Sequence, residues 1–399
     1  MTTENTHKVP NVPPLRFPEF SGEWSASSMG KCCAPLEYGM NAAAKEFDGE
    51  NKYIRITDID DDSQQYLTDD IVSPDGTLEG KYLVRENDIL FARTGASVGK
   101  SYLYNKKDGK LYFAGFLIRA HVKSENNAAF IFYQTQLKRY QKWVAIMSTR
   151  SGQPGINAQE YESYSVYLPN IAEQRKITNF ITLLDTRILA QNKIIQHLES
   201  LITGITQSVR DNATKKVLLA DILTEKEEKN IGNHDVYSVS VLEGVINQIE
   251  YLGRSFAAKE TKNYSVVEYG DIVYTKSPTG SFPYGIVKQS YIKEKAAVSP
   301  LYGVYKPVSF EVGYYLHHYF TSPIYTTNYL HKLIQKGAKN TINITNQRFL
   351  ENYIPLPSPE VLEKYVALVS AVTTKLENEK QVINKLKEQK NYLLSKMFI

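Results

Sequence analysis

The chain has 399 residues, 42% hydrophobic and 23% charged, with a mean hydropathy of −0.37. That is enough for two or three domains with cores of their own, and no apolar run approaches the roughly 18 residues that cross a bilayer. Its two cysteines, Cys32 and Cys33, are adjacent, which excludes a disulfide framework or a four-ligand zinc site and points to a reducing cytoplasm. A formal net charge of +4 permits a polyanionic ligand without demanding one, and 29 tyrosines, more than Phe and Trp combined, suit either recognition surfaces or β-rich cores.

Residues 1–14 are polar and proline-bearing, without the basic and apolar regions of a signal peptide, and read as a flexible tail. Residues 15–169 read as an α+β module with short strands at Tyr53-Ile54-Arg55-Ile56, Asp88-Ile89-Leu90-Phe91 and Leu111-Tyr112-Phe113, and one helix-length apolar stretch around Phe130–Ile146. Within it, Arg93-Thr94-Gly95-Ala96-Ser97-Val98-Gly99-Lys100-Ser101 approximates a phosphate-binding P-loop, but its glycines enclose three residues instead of four, and a strand follows where a helix is required. It reads instead as a basic, hydroxyl-bearing turn. Arg93, Thr94, Ser97 and Lys100 become candidates for contact with a nucleic-acid backbone or base edge, and Arg150, Ser151 and Gln153 join them. Asp75 and Glu79-Gly80-Lys81 imitate a nuclease acid pair, but they are too close in sequence to lie on neighbouring strands around Mg²⁺.

Residues 170–210 carry apolar residues at alternating steps of four and three through Ile181, Leu184, Ile188, Gln191, Ile195 and Leu198, the a/d seam of a coiled coil. Asn170 and Glu173 supply a capping pattern at its start. A second globular module follows at 211–357, with strands at Asp271-Ile272-Val273-Tyr274 and Tyr302-Gly303-Val304-Tyr305 and an apolar stretch around Gly313–Leu333. Its candidate ligand contacts are Lys276, Ser277, Thr279 and Ser281 in one turn, and Lys336, Lys339 and Asn340 further on. Residues 358–399 then repeat the seam with Val369, Val372, Leu376, Glu379, Ile383 and Leu386, after Ser358 at the N-cap and Pro359 at the first helical position.

The order of elements is a repeat of the whole chain. Ile156-Asn157-Ala158-Gln159-Glu160-Tyr161 aligns at an offset of 188 with Ile344-Thr345-Asn346-Gln347-Arg348-Phe349, both leading to a Leu-Pro pair and a long helix. Residues 25–80 and 220–262 bear little relation to each other, so a shared scaffold carries two different surfaces. Each seam has a polar residue near its middle, Gln191 and Glu379, which an antiparallel pairing would bring together to fix register. No metal-ligand cluster, nucleophile elbow or other enzyme signature is present.

The segment Tyr167-Leu168-Pro169-Asn170-Ile171-Ala172-Glu173-Gln174-Arg175-Lys176-Ile177, followed by Leu183-Leu184-Asp185, resembles the conserved region of DNA-specificity subunits of type I restriction-modification systems. The second copy departs from it, with Val361-Leu362-Glu363-Lys364 in place of Glu173-Gln174-Arg175-Lys176. The resemblance implies two mixed α/β target-recognition domains in pseudo-two-fold tandem repeat, separated by two long helices that form an antiparallel coiled coil. It also implies a non-catalytic subunit that binds double-stranded DNA, two methyltransferase subunits and, in the full complex, restriction subunits. S-adenosylmethionine, ATP and Mg²⁺ are then expected on the partners, with no cofactor in this chain and no membrane contact. The rival reading is a tandem scaffold for a non-DNA ligand, with the coiled coil as a rod.

Overall fold

A computed structural model of the chain describes residues 11–149, 154–254, 260–336 and 342–399. They form two compact units, one comprising Met1–Gln191 with Val382–Ile399 and the other Asn192–Gln381. Each unit therefore holds one globular module with part of both long helices, which span Ile171–Asp211 and Pro359–Met397.

In the first unit, an antiparallel sheet is ordered Glu37–Tyr38, Leu117–His121, Asp88–Ala92, Ser101–Leu103. The strand Asp88–Ala92 is buried on both faces. Ile89 and Phe91 point into a core shared with Phe130 and Tyr161, while Leu90 and Ala92 point into one shared with Ile54 and Phe113. Two buried faces explain why this strand is an unbroken apolar run after its first residue. Ser25–Ser28 pairs with Ser165–Leu168, so the module closes beside the start of the long helix.

The second unit repeats the plan. Leu223–Glu225, Gly303–Pro307, Ile272–Tyr274 and Val287–Gln289 form the corresponding sheet, and Lys215–Leu218 closes on Tyr353–Leu356. The modules part company around this frame. The second carries an additional four-stranded sheet ordered Gly244–Asn247, Val236–Ser240, Ala296–Val298, Ser265–Val267, whereas the first has two-stranded pairings of Ala43–Glu46 with Val72–Asp75 and of Lys52–Ile54 with Leu111–Phe113.

The repeated Asp-Ile motif has one structural cause in both copies. Asn87 and Gly270 take positive φ values of 69° and 88°, a turn that Asn and Gly tolerate best. The aspartates that follow are buried, and each accepts a hydrogen bond from the backbone N–H three residues earlier, Arg85 to Asp88 at 2.7 Å and Glu268 to Asp271 at 2.8 Å. Arg119 and the His121 ring complete the site at Asp88, and Lys226 completes the one at Asp271.

The apolar stretches expected as single helices are pairs, Ala128–Gln134 with Lys138–Ser148 and Phe310–Tyr319 with Pro323–His331. In the first, the Thr135 hydroxyl bonds back to Phe132 O at 2.7 Å and lies 2.7 Å from Ser101 Oγ; such back-bonding competes with helix continuation. In the second, Ser322 caps a new helix with Pro323 at its first position.

Tyrosine is largely a core residue here. Tyr53, Tyr140, Tyr161, Tyr274, Tyr305, Tyr315 and Tyr329 are buried, and each donates its hydroxyl to a backbone carbonyl, at distances from 2.6 to 2.9 Å. The ring supplies apolar area while the hydroxyl finds a backbone acceptor inside the core.

The long helices run antiparallel within each unit. In the first unit Ile177 and Ile181 share a core with Leu393, Leu394, Met397 and Phe398, and Lys390 Nζ lies 2.7 Å from Asp185 Oδ1 across the pair. In the second, Ile202, Ile205 and Val209 pack against the cluster containing Leu362, Tyr365 and Val369, with Thr206 Oγ1 2.9 Å from the Tyr365 hydroxyl. Every seam residue named above is buried or partly buried, Gln191 and Glu379 included.

Asn170 does cap the first helix, accepting from Glu173 N at 2.9 Å. The Glu173 carboxylate turns elsewhere. It is fully buried and takes a two-pronged contact from Arg16, Nε and Nη2 each at 2.7 Å, with Trp24 Nε1 at 3.3 Å. Gln174 accepts from Asn127 N and donates to Pro169 O. These bonds fasten the segment around Arg16–Trp24 to the helix start.

Breaking a buried pair strands a charge at a cost of about 3 kcal/mol or more. Arg16→Ala should lower the urea midpoint of the first unit accordingly, with no effect on the second. A pH effect should be confined to the second unit. His317 and His318 pack against Tyr291, Tyr314 and Tyr365, and His317 Nδ1 accepts from Gln289 N at 3.0 Å, which requires a neutral ring. Burial, helped by Lys288, holds His317 well below the usual histidine range and His318 at about 4. Above about pH 6.5 both states are neutral; below it the unfolded chain takes up protons that the folded unit refuses, so stability falls between about pH 6.5 and 4, by roughly 1 kcal/mol per pH unit for each histidine. Unfolding curves at pH 7.5 and 5.5 measure this loss, which His317→Gln with His318→Gln should flatten.

Candidate nucleic-acid interface

In each module the Asp-Ile strand turns back through the loop whose cations and hydroxyls suggested ligand contact. In the first, Gly99 N donates to Ala92 O and Ala92 N to Lys100 O, closing the loop over 93–99. Gly99 is required: its φ is +86°, and a Cβ would stand 2.6 Å from Val144 Cγ1. Tyr140 and Tyr161 hold the loop's base through Gly99 O and Ala92 O.

The four candidates in this loop occupy different environments. The Lys100 side chain is mostly buried, donates to Ile59 O at 2.9 Å and pairs with Asp61, so it anchors the neighbouring segment. Thr94 and Ser97 are half-buried, and Thr94 forms a backbone bridge with Gly155. Arg93 is half-buried, with its backbone tied to Phe116 O and Ile156 N at 3.0 and 2.9 Å. Gly95 N donates to Pro154 O, so the loop lies against the residues that follow 150–153. Arg150, Ser151 and Gln153 themselves lie outside the described residues.

In the second module the corresponding loop is longer. Thr279 and Phe282 exchange backbone hydrogen bonds of 3.1 and 2.9 Å, making a tight tip that leaves Ser277, Thr279 and Ser281 exposed. Lys276 sits at its base, half-buried, its ammonium pushed below the usual lysine range chiefly by burial. Lys336 belongs to a short ribbon in which Gln335–Lys336 pairs with Ile342–Asn343. Lys339 and Asn340 lie outside the described residues.

A cleft of about 610 Å³ opens beside the first loop, lined by Tyr38, Asn41, Thr57, Arg93 and Phe116 among others. The Arg93 guanidinium lies 5.1 Å above the Tyr38 ring. Arg55, the other cation on the wall, is neutralised by Asp58 and Asp70. Two glycine-bearing segments cross at its floor. Gly39 has no room for a side chain, since a Cβ would come within 2.1 Å of Ala114 O, and Gly115 N donates to Met40 O at 2.8 Å. The aromatics beside these glycines, Tyr38 and Phe116, are 44% and 60% exposed. No spacing in the sequence singles them out; the available signal is an aromatic next to a glycine in each of two crossing segments.

The motif preceding each long helix is architectural. Asn157 and Thr345 cap short helices, Ala158–Ser163 and Asn346–Phe349, by accepting from the N–H three residues on. Ile156 and Ile344 are buried beneath them, as are Tyr161 and Phe349. Among the described residues no group of three or more His, Cys, Asp and Glu is placed to hold a metal ion. None of the described helices is long and apolar enough to cross a membrane.

Two modules on a common frame, each packed on antiparallel segments of two long helices, make a tandem two-module architecture. Residues 38–200 match the family described as the type I restriction modification DNA specificity domain. The specificity subunit of the type I restriction enzyme MjaVIII from Methanocaldococcus jannaschii is 27% identical over 153 residues, which is 37% of this chain and 34% of that protein. The match thus spans about a third of the relative's length. Among solved structures, the type I restriction-modification S subunit from M. genitalium is similar over 97% of this chain and 99% of its own, with a TM-score of 0.60 at 13% identity. A chain from a structure describing complex assembly and conformational transition of the type I restriction-modification system is similar over 94% of this chain and 97% of its own, with a TM-score of 0.51 at 14% identity. Residues 38–200 are thus similar to that family's domain, and over nearly its whole length the chain shares the fold of the S subunit from M. genitalium.

Proposed function

We propose that the chain is the DNA-specificity subunit of a type I restriction-modification complex. Each module reads one half of a split site on double-stranded DNA, and the paired helices set the spacing between the halves. The observation that carries this reading is the duplicated frame with divergent surroundings: the same strand order and the same buried aspartate turn recur, while the loops and added strands differ. Two readers of one ligand class with different sequence preferences need that combination.

The helices also offer docking surface. Phe180, Leu183, Ile194 and Leu201 on the first, and Leu368 and Tyr392 on the second, are exposed, apolar side chains available to a partner. Two methyltransferase subunits are assigned to these faces, and restriction subunits to the full assembly. The chemistry belongs to those partners, with S-adenosylmethionine on the methyltransferases and ATP and Mg²⁺ on the restriction subunits. This chain binds, orients and spaces. Its +4 charge fits one member of an assembly that shares the phosphate contacts. The scaffold reading for a non-DNA ligand has no specific observation in its favour.

Mapping methylated adenines in a host that supplies active partner subunits, with and without this chain, tests the assignment. A split motif methylated only when the chain is present is the expected result; an unchanged methylation map contradicts it.

A further inference from the structure

The loop cations were grouped in the sequence as general DNA contacts, but the structure separates Arg93 from the others. Lys100 is bound to Ile59 and Asp61, and Arg55 across the cleft is held by two carboxylates. Among the described residues Arg93 has neither a carboxylate partner nor a side-chain hydrogen bond, and its buried Nε has no acceptor. A buried N–H left unpaired is costly, and proteins retain such groups chiefly where a ligand or a mechanism uses them.

What holds Arg93 is the face of Tyr38. That contact sets the guanidinium charge over the ring face and, unlike a carboxylate, takes up none of its N–H donors. Tyr38 is itself fixed, since its hydroxyl accepts from Ala158 N at 3.2 Å and its strand pairs with Leu117–His121. The Arg93 backbone is pinned on both sides, to Phe116 and to Ile156. The fork is therefore presented from a rigid sheet edge, with exposed Phe116 beside it and no acidic side chain lining the cleft.

We propose that Arg93, set over the Tyr38 ring and flanked by Phe116, reads a guanine in the half-site of the first module. The proposal rests on the DNA-specificity reading above. Guanine O6 and N7 form a two-acceptor edge that matches the terminal amines of arginine. A phosphate contact would need neither the aromatic support nor the cleft, and a lysine would serve it nearly as well.

The test replaces Arg93 in the complete complex and maps the methylated motif. Arg93→Lys keeps the charge and removes the fork; Arg93→Gln removes both. Both variants should relax one G·C position in one half-site, lowering discrimination there by roughly tenfold or more, with the other half-site and the spacer unchanged. Phe116→Ala, at an exposed position, should weaken selectivity at the same or the adjacent pair. The proposal is overturned if the half-site affected contains no required G·C pair, or if both arginine variants leave every position as strict as before. Uniform loss of methylation without relaxation in Arg93→Gln, restored by Arg93→Lys, would assign a phosphate contact and also overturn it. The parent chain separates the two claims: if it directs no split motif, the DNA-specificity reading fails, whatever the variants do.

Discussion

One apolar stripe on each long helix serves two purposes at once, and the rest of each unit depends on it. Ile177 and Ile181 are seam residues of the first helix and also members of the first module's main core, together with Leu393, Leu394, Met397 and Phe398 from the second helix. Tyr365 and Val369 play the same double part in the second unit, against Ile202, Ile205 and Val209. Neither helix can shift along the other in these regions without opening a module core, where cavities are costly. Helix register and module integrity are thereby one constraint.

The same constraint accounts for where the two halves of the repeat differ. In the first unit an N-terminal segment lies against the helix start, and Glu173 exists to bind it through Arg16 and Trp24. At the matching offset the second copy has Val361, and the residues that would correspond to Arg16–Trp24 fall at the end of the first long helix, a continuous helix through Asp211. There Val361 is exposed, while Leu362, in place of Gln174, is buried. The second helix start thus lacks the segment that Glu173 and Gln174 fasten in the first.

Much of this was legible because it is periodic or local. The heptad seam, the Asn170 cap and the repeated Asp-Ile strands each depend on residues within a few positions of one another. The breaks at Thr135 and Ser322 were not legible, since hydrophobicity runs through both and only the hydroxyl's choice of partner ends the first helix. Nor does sequence distinguish Lys100 from Arg93, seven residues apart in one loop. Their roles are set by Asp61 in one case and by Tyr38 in the other, partners brought near by strand pairing. The tyrosine excess, which suggested recognition surfaces as readily as cores, is explained in part by buried rings whose hydroxyls bond to backbone carbonyls.

If the paired helices set the distance between two reading modules, lengthening both by one heptad near Gln191 and Glu379 should keep the seam in phase. It would add about 10 Å of helix, or roughly three base pairs of DNA at 3.4 Å per step. The most direct measurement is the methylated motif directed by such a variant in the complete complex. The account predicts unchanged half-sites separated by about three more unspecified base pairs; altered half-site sequences, or an unchanged spacer, would contradict it.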